Sequence, residues 1–170
     1  PVVSSAASDV YKRQAYNSIV ASGDNACILH YTANNSPLNK GDLLLIDAGC
    51  SLTDYYNGDI TRTIPLSGKF SKEQKVIYEI VLSAQKKAIK SAVSGSNSST
   101  VHNVAVTNLV EGLKEIGLLS GSTEEIIQNQ LYKHLYMHRT GHWLGLDVHD
   151  VGAYRICLLY TSDAADETTG

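Results

Sequence analysis

DLLLIDAGC, residues Asp42 to Cys50, is a nearly continuous apolar run introduced by Gly41 and ended near Gly49. It is too short for a typical helix and is bounded by the residues that punctuate strands. One carboxylate, Asp47, interrupts it, and an ionised carboxylate in an apolar strand is costly unless it is paired or bound to a metal. After a polar turn, Tyr55 to Leu66 (YYNGDITRTIPL) resumes β-type residues, with Asn57-Gly58 suggesting a bulge. Lying side by side, these two strands would aim Asp47 and Asp59 at a common point.

Working outward from this pair, Ser18 to Ser22 and Ala26 to Tyr31 flank Gly23-Asp24-Asn25 and predict a hairpin. Thr32 to Lys40 is a polar loop. Downstream, Ser71 with Gln74 is a capping-box pattern, and Val76, Ile77, Ile80, Val81, Ala84, Ala88 and Ile89 follow at helical spacing. The Gly/Ser/Asn-rich stretch Ser94 to Ser99 breaks that helix. A second helix is expected from Thr100 to Ile116, with Val101, Val104, Ala105, Asn108, Leu109 and Leu113 inward and Gly117 as its stop. Ser122 with Glu125 starts a shorter third helix. Tyr136 to Tyr154, rich in Gly and His, should be irregular strand and loop. Strands followed by helices predict an α+β fold, a curved antiparallel sheet covered by helices on one face.

The two ends read as foreign. SSAASDVYKRQ, Ser4 to Gln14, has a permitted back-translation whose reverse complement encodes CLLYTSDAAD, the string that begins at Cys157. No packing demand relates two protein segments in this way, whereas a sequencing adapter on both sides of an insert does. The expected organisation is therefore residues 1–14 and 157–170 adapter-derived and non-native, with 15–156 a fragment of one catalytic domain. Ala15 to Ile156 holds twelve Lys and Arg against thirteen Asp and Glu, a near-neutral balance without the basic run that nucleic acid requires. No apolar stretch is long enough to cross a membrane. Cys27 and Cys50, each in an apolar run, are expected to be buried, reduced thiols of a cytoplasmic protein.

Four histidines gather late in the chain, at His134, His138, His142 and His149. Spacings of four and seven, with Gly141 and Gly145 between them, exclude the helical HExxH zinc motif. An imidazole beside two carboxylates would make a mixed nitrogen and oxygen set, suited to Mn, Fe, Co or Zn rather than Ca. Taken singly, each residue has a bland reading: Asp47 or Asp59 could cap a turn or pair with a base such as Arg62, and any one histidine could be structural. His134, in polar helical surroundings, is left at that reading.

Three strings together are specific. ASGDNACILHYTANN (Ala21 to Asn35), LLIDAGC with GDITRTIP (Leu44 to Pro65) and MHRTGHWLGLDVHDVGAY (Met137 to Tyr154) closely resemble the bacterial Xaa-Pro aminopeptidases, or aminopeptidases P, which are metallopeptidases of the pita-bread fold. The resemblance implies that Asp47 binds one metal, Asp59 bridges two, and His142 binds the other. It implies that His149 and His30 are catalytic-site histidines, His149 contacting substrate and stabilising the reacting carbonyl oxygen and His30 lining the substrate pocket, and that His138 lies near the site as a substrate-binding residue. The implied cofactors are two divalent ions, most simply Mn2+, and the implied partner is a peptide with proline second. A metal-bridging hydroxide would hydrolyse the N-terminal Xaa-Pro bond, in a parent enzyme that is a homo-oligomer.

The family also needs two further glutamates after the DVHDVG motif. Glu167 is the only glutamate after Glu125, and it lies in the adapter-coded end. The chain by itself is thus expected to bind metal weakly and to lack peptidase activity. A Xaa-Pro dipeptidase and a metal-free pita-bread binding module are the rival readings.

Overall fold

The structure, a computed structural model, describes residues 13–153. Tyr154, Cys157 and most of the two ends expected to be adapter-coded lie outside the described residues.

Five strands come first: β1 (Arg13–Gln14), β2 (Ile19–Ser22), β3 (Leu43–Ala48), β4 (Cys50–Ser51) and β5 (Ile60–Pro65). Three helices follow: α1 (Lys72–Ser91), α2 (Ser98–Glu115) and α3 (Thr123–Gln128). Strand β3 is central, antiparallel to β2 on one side and to β5 on the other, and β1 pairs antiparallel with β4. Arg13 and Gln14, placed by the sequence in the adapter-coded end, thus lie opposite Ser51 and Cys50.

The expected hairpin at Gly23 does not form. Ile19–Ser22 pairs with β3 instead, and Gly23–Cys27 is a 3-10 turn. Leu43–Ala48 is the more apolar partner, so β2 gains more from lying against it than against its own neighbour. Cys27 is consequently exposed and Cys50 only partly covered, rather than both buried. Nor is there a bulge at Asn57-Gly58. Ser51 bridges Asn57 in the same antiparallel register that pairs Leu43 with Pro65, so no residue is inserted between them. The break in β3 falls at Gly49, and the second strand begins at Ile60 rather than Tyr55.

Helix α1 starts with the capping box that Ser71 and Gln74 predict. The Gln74 amide also donates to the Gly41 carbonyl at 2.8 Å, tying the helix to the approach of β3. Of the apolar residues at helical spacing on α1, Ala84 and Ala88 are buried, whereas Val76, Ile77, Val81 and Ile89 are exposed. The inward stripe is Ile80, Ala84 and Ala88, spaced by four, and it meets α2 where Gly112 lets the helices close: a Cβ at Gly112 would lie 2.7 Å from Ile80. On α2 the inward face includes Val106 and Val110 besides Ala105, Leu109 and Leu113. Val106 and Val110 join Ile126 of α3 and Tyr132 in the main core cluster. Tyr136 to Ala153 contains neither helix nor strand, so the irregular strand expected there is absent and the segment is loop throughout. Among the described residues no helix is long and apolar enough to span a membrane.

Candidate metal centre

The register brings Asp47 and Asp59 together. Asp47 lies opposite Thr61, and Asp59 precedes β5 by one residue, so the two carboxylates are diagonal neighbours on one face of the sheet. Arg62, the base that could have neutralised them, donates from Nη1 to the Thr61 carbonyl at 2.8 Å instead.

A residue that sequence reasoning passed over stands between them. The Tyr16 hydroxyl lies 2.5 Å from Asp47 Oδ1 and 2.7 Å from Asp59 Oδ1. A phenol has one proton to share between these acceptors. Burial raises the Tyr16 pKa above the usual phenol range, and the hydrogen bonds and negative charge of Asp47 and Asp59 raise it further. The hydroxyl therefore remains a donor. Its ring lies against Gly49, where a Cβ would come within 2.5 Å of Tyr16 Cε1 and 1.9 Å of the Gly58 carbonyl oxygen. Gly49 thus makes room for both Tyr16 and the chain leading into Asp59.

His142 arrives from the irregular segment after the helices. That segment is anchored to the strands by Asn57, whose amide N–H donates to the Gly145 carbonyl (2.8 Å) and whose side chain donates to the Leu146 carbonyl (2.6 Å). Ser51 in turn donates to the Asn57 side chain at 2.5 Å. On the helix side, Thr140 lies 2.8 Å from His102 Nδ1 on α2 and 2.9 Å from the Tyr136 hydroxyl. Between these anchors, His142 Nε2 lies 3.1 Å from Asp59 Oδ2, and its Nδ1 lies 2.8 Å from the Trp143 carbonyl. A carbonyl can only accept, so Nδ1 carries the hydrogen. In the neutral ring, the Nε2 lone pair then faces a carboxylate oxygen, an arrangement that needs a proton on Nε2 or a cation between the two. Asp59 is the hub, with Oδ1 toward Tyr16 and Oδ2 toward His142.

The ring of His149 stacks on His142, centroids 3.9 Å apart and planes 9° from parallel. Burial pushes His149 below the usual histidine range, and His142 pushes it the same way. Asp59 pulls upward, while His30 and Asp47 act in opposite directions with less weight. His30 therefore belongs to the electrostatic surroundings of the site, on a backbone with φ of 57°. His138 is oriented otherwise: its Nδ1 lies 2.7 Å from the Arg139 carbonyl and its ring meets Tyr136 edge-on at 5.3 Å. His134 ends a 3-10 turn.

Two carboxylates sharing one donor, plus an imidazole lone pair aimed at one of them, form a donor set with excess negative charge and suit a divalent cation. The set is incomplete. Among the described residues, no three His, Cys, Asp or Glu side chains close up enough to hold a metal ion by themselves.

The sequence pattern of metallopeptidase family M24 matches residues 4–167. The chain belongs to that family. It is 55% identical over 140 residues to a Xaa-Pro aminopeptidase of Haemophilus influenzae, covering 82% of this chain and 32% of that protein. Against the Xaa-Pro aminopeptidase of Escherichia coli the identity is 46%, with the same coverage. The M24 segment superposes on the Pseudomonas aeruginosa aminopeptidase PepP with a TM-score of 0.83 at 52% identity, over 86% of this chain and 33% of that one. It superposes equally on a glutamate-to-alanine variant of Escherichia coli aminopeptidase P in complex with substrate, with a TM-score of 0.82 at 45% identity, over 85% and 32% of the two chains. The fold is thus part of the pita-bread fold, and the chain spans about a third of the length of the curated relatives it matches. Membership in a metallopeptidase family accords with divalent metal ions at this site.

Proposed function

We propose that this chain is part of the catalytic domain of a Xaa-Pro aminopeptidase, a hydrolase that removes one N-terminal residue ahead of proline. The observation that carries the reading is that Asp59 shares the Tyr16 hydroxyl with Asp47 and meets the His142 imidazole through its other oxygen, in a chain whose relatives bear that name. Asp47 and His142 would each hold one of two divalent cations, with Mn2+ the first choice, and Asp59 would hold both. When bound, the cations supply activation of a water nucleophile and polarisation of the peptide carbonyl.

The remaining work falls to the chain's own side chains. His149 is kept neutral by burial and by its neighbour His142, so it has one N–H to offer a carbonyl oxygen as negative charge develops there. Its stacking on His142 fixes the plane in which that hydrogen points. His30 lines the pocket for the substrate, and His138 supports the site from the Tyr136 side. The same reading makes the whole enzyme a cytoplasmic homo-oligomer and residues 15–156 its native segment.

The test is hydrolysis by the full-length protein that contains this segment. With Mn2+ present it should release the first residue of a Xaa-Pro-Xaa tripeptide, and Asp59→Asn should abolish release. Cleavage confined to Xaa-Pro dipeptides would make it a dipeptidase. Absence of any Mn2+-dependent hydrolysis would make it a binding module. The 170-residue chain alone should not turn over substrate.

A further inference from the structure

We infer that Tyr16 is a positioning residue of the metal centre: its hydroxyl clamps Asp47 and Asp59 at a fixed separation before any cation arrives. The inference rests on the reading of those residues as metal ligands.

Two ionised carboxylates brought to one point repel each other and, left alone, would splay apart. The Tyr16 hydroxyl opposes this by standing within hydrogen-bonding distance of one oxygen of each, at 2.5 and 2.7 Å. At its ordinary acidity a phenol is protonated at neutral pH, so it is a donor here without special adjustment. The contact engages Oδ1 of both residues and leaves Asp59 Oδ2 directed at His142 Nε2. One face of the pair is thus held by the clamp while the opposite side of Asp59 meets the imidazole.

The clamp is itself tied to the strands. The ring of Tyr16 occupies the space above Gly49, and the preceding residue, Ala15, donates its backbone N–H to the Gly49 carbonyl at 3.2 Å. Gly49 sits between β3, which carries Asp47, and β4, whose Cys50 carbonyl accepts the Gly58 N–H at 2.8 Å just before Asp59. Tyr16 is therefore fastened to the joint from which both carboxylates hang. A tyrosine so placed acts through the ligands it orients, and partners of that kind are worth roughly 10–100-fold in metal affinity.

The experiment is Mn2+ titration of the whole 170-residue chain, followed by the loss of the free-ion electron paramagnetic resonance signal, for wild type, Tyr16→Phe and Asp47→Asn. Tyr16→Phe keeps the ring on Gly49 and removes only the hydroxyl. The expected result is Mn2+ binding weakened about 10–100-fold with the circular dichroism spectrum retained and the urea midpoint lowered, the transition remaining cooperative. Equal affinity in Tyr16→Phe and wild type overturns the inference, and tighter binding overturns it too, because the hydroxyl would then compete with the cation. Loss of the fold in Tyr16→Phe makes the hydroxyl a stability element and likewise overturns it. If wild type binds no more Mn2+ than Asp47→Asn, the metal-ligand reading itself fails and takes the inference with it.

Discussion

Gly49→Ala should damage the fold and the metal centre together, and the structure sets the scale. The added methyl would lie 1.9 Å from the Gly58 carbonyl oxygen and 2.5 Å from Tyr16 Cε1. Contacts of that kind do not occur below 3.0 Å, so the chain at Gly58 has to retreat by about 1 Å. A retreat of about that size would stretch the Tyr16 contact to Asp59, now 2.7 Å, beyond hydrogen-bonding distance. It would also strain the Gly58 to Cys50 backbone bond, now 2.8 Å. Overpacking costs about 1–3 kcal/mol, and each strained hydrogen bond adds about 1 kcal/mol, so a loss of roughly 3–5 kcal/mol is expected. Urea unfolding read from the fluorescence of Trp143, the single tryptophan, measures it. Gly141→Ala is the matched control, because a Cβ there meets nothing within 4 Å. It should change stability by less than about 0.5 kcal/mol. Equal losses in the two variants would refute the reasoning that Gly49 is required by the close approach of Gly58 and Tyr16.

Other outcomes follow from particular contacts. Ser71→Ala removes the hydroxyl that caps α1 and should cost about 0.5–2 kcal/mol in the same unfolding assay. Burial lowers the His102 pKa below the usual histidine range, and Arg139, His138 and Lys133 add to the effect. The folded value thus lies below the unfolded value of about 6.5, so this contribution to stability is complete above that pH and is lost as pH falls through the folded value. Unfolding midpoints compared between pH 7.5 and pH 5 should accordingly fall more in wild type than in His102→Ala, pH values chosen to bracket roughly that range. Cys27, exposed, should react with a maleimide before the partly covered Cys50, and Cys27→Ser should leave Mn2+ affinity unchanged.

The strands that carry the carboxylates could be read from the sequence because their signal is local. An apolar run broken by one acid, closed by Gly49 and followed by a second β-type run suffices to set Asp47 and Asp59 on neighbouring strands. The helices were legible for the same reason: the Ser71 to Gln74 box and the Ser122 cap lie within one turn of the helices they start. What failed was pairing choice. Ala26 to Tyr31 has the composition of a strand, but β2 takes its neighbour from β3, more than twenty residues away, and nothing local distinguishes the two partners. The outward positions of Val76, Ile77, Val81 and Ile89 were equally hidden, because helical spacing gives a face but not which part of it meets another element.

Tyr16 illustrates a different limit. Ligand-type residues advertise themselves, since an acid in an apolar strand or a cluster of histidines is unusual wherever it stands. A tyrosine three residues before a short strand is not unusual at all. Its role exists only after β2 has paired with β3, because Ile19 lies opposite Asp47 and the chain before it is thereby carried back across Gly49. Gly49 is the one local hint. A glycine ending a strand reads as punctuation, yet here the space it leaves open is filled by the Tyr16 ring and the Gly58 carbonyl. Sequence reasoning therefore finds the atoms that would touch a cation, whereas the atoms that aim them depend on strand pairing and become visible only with the fold.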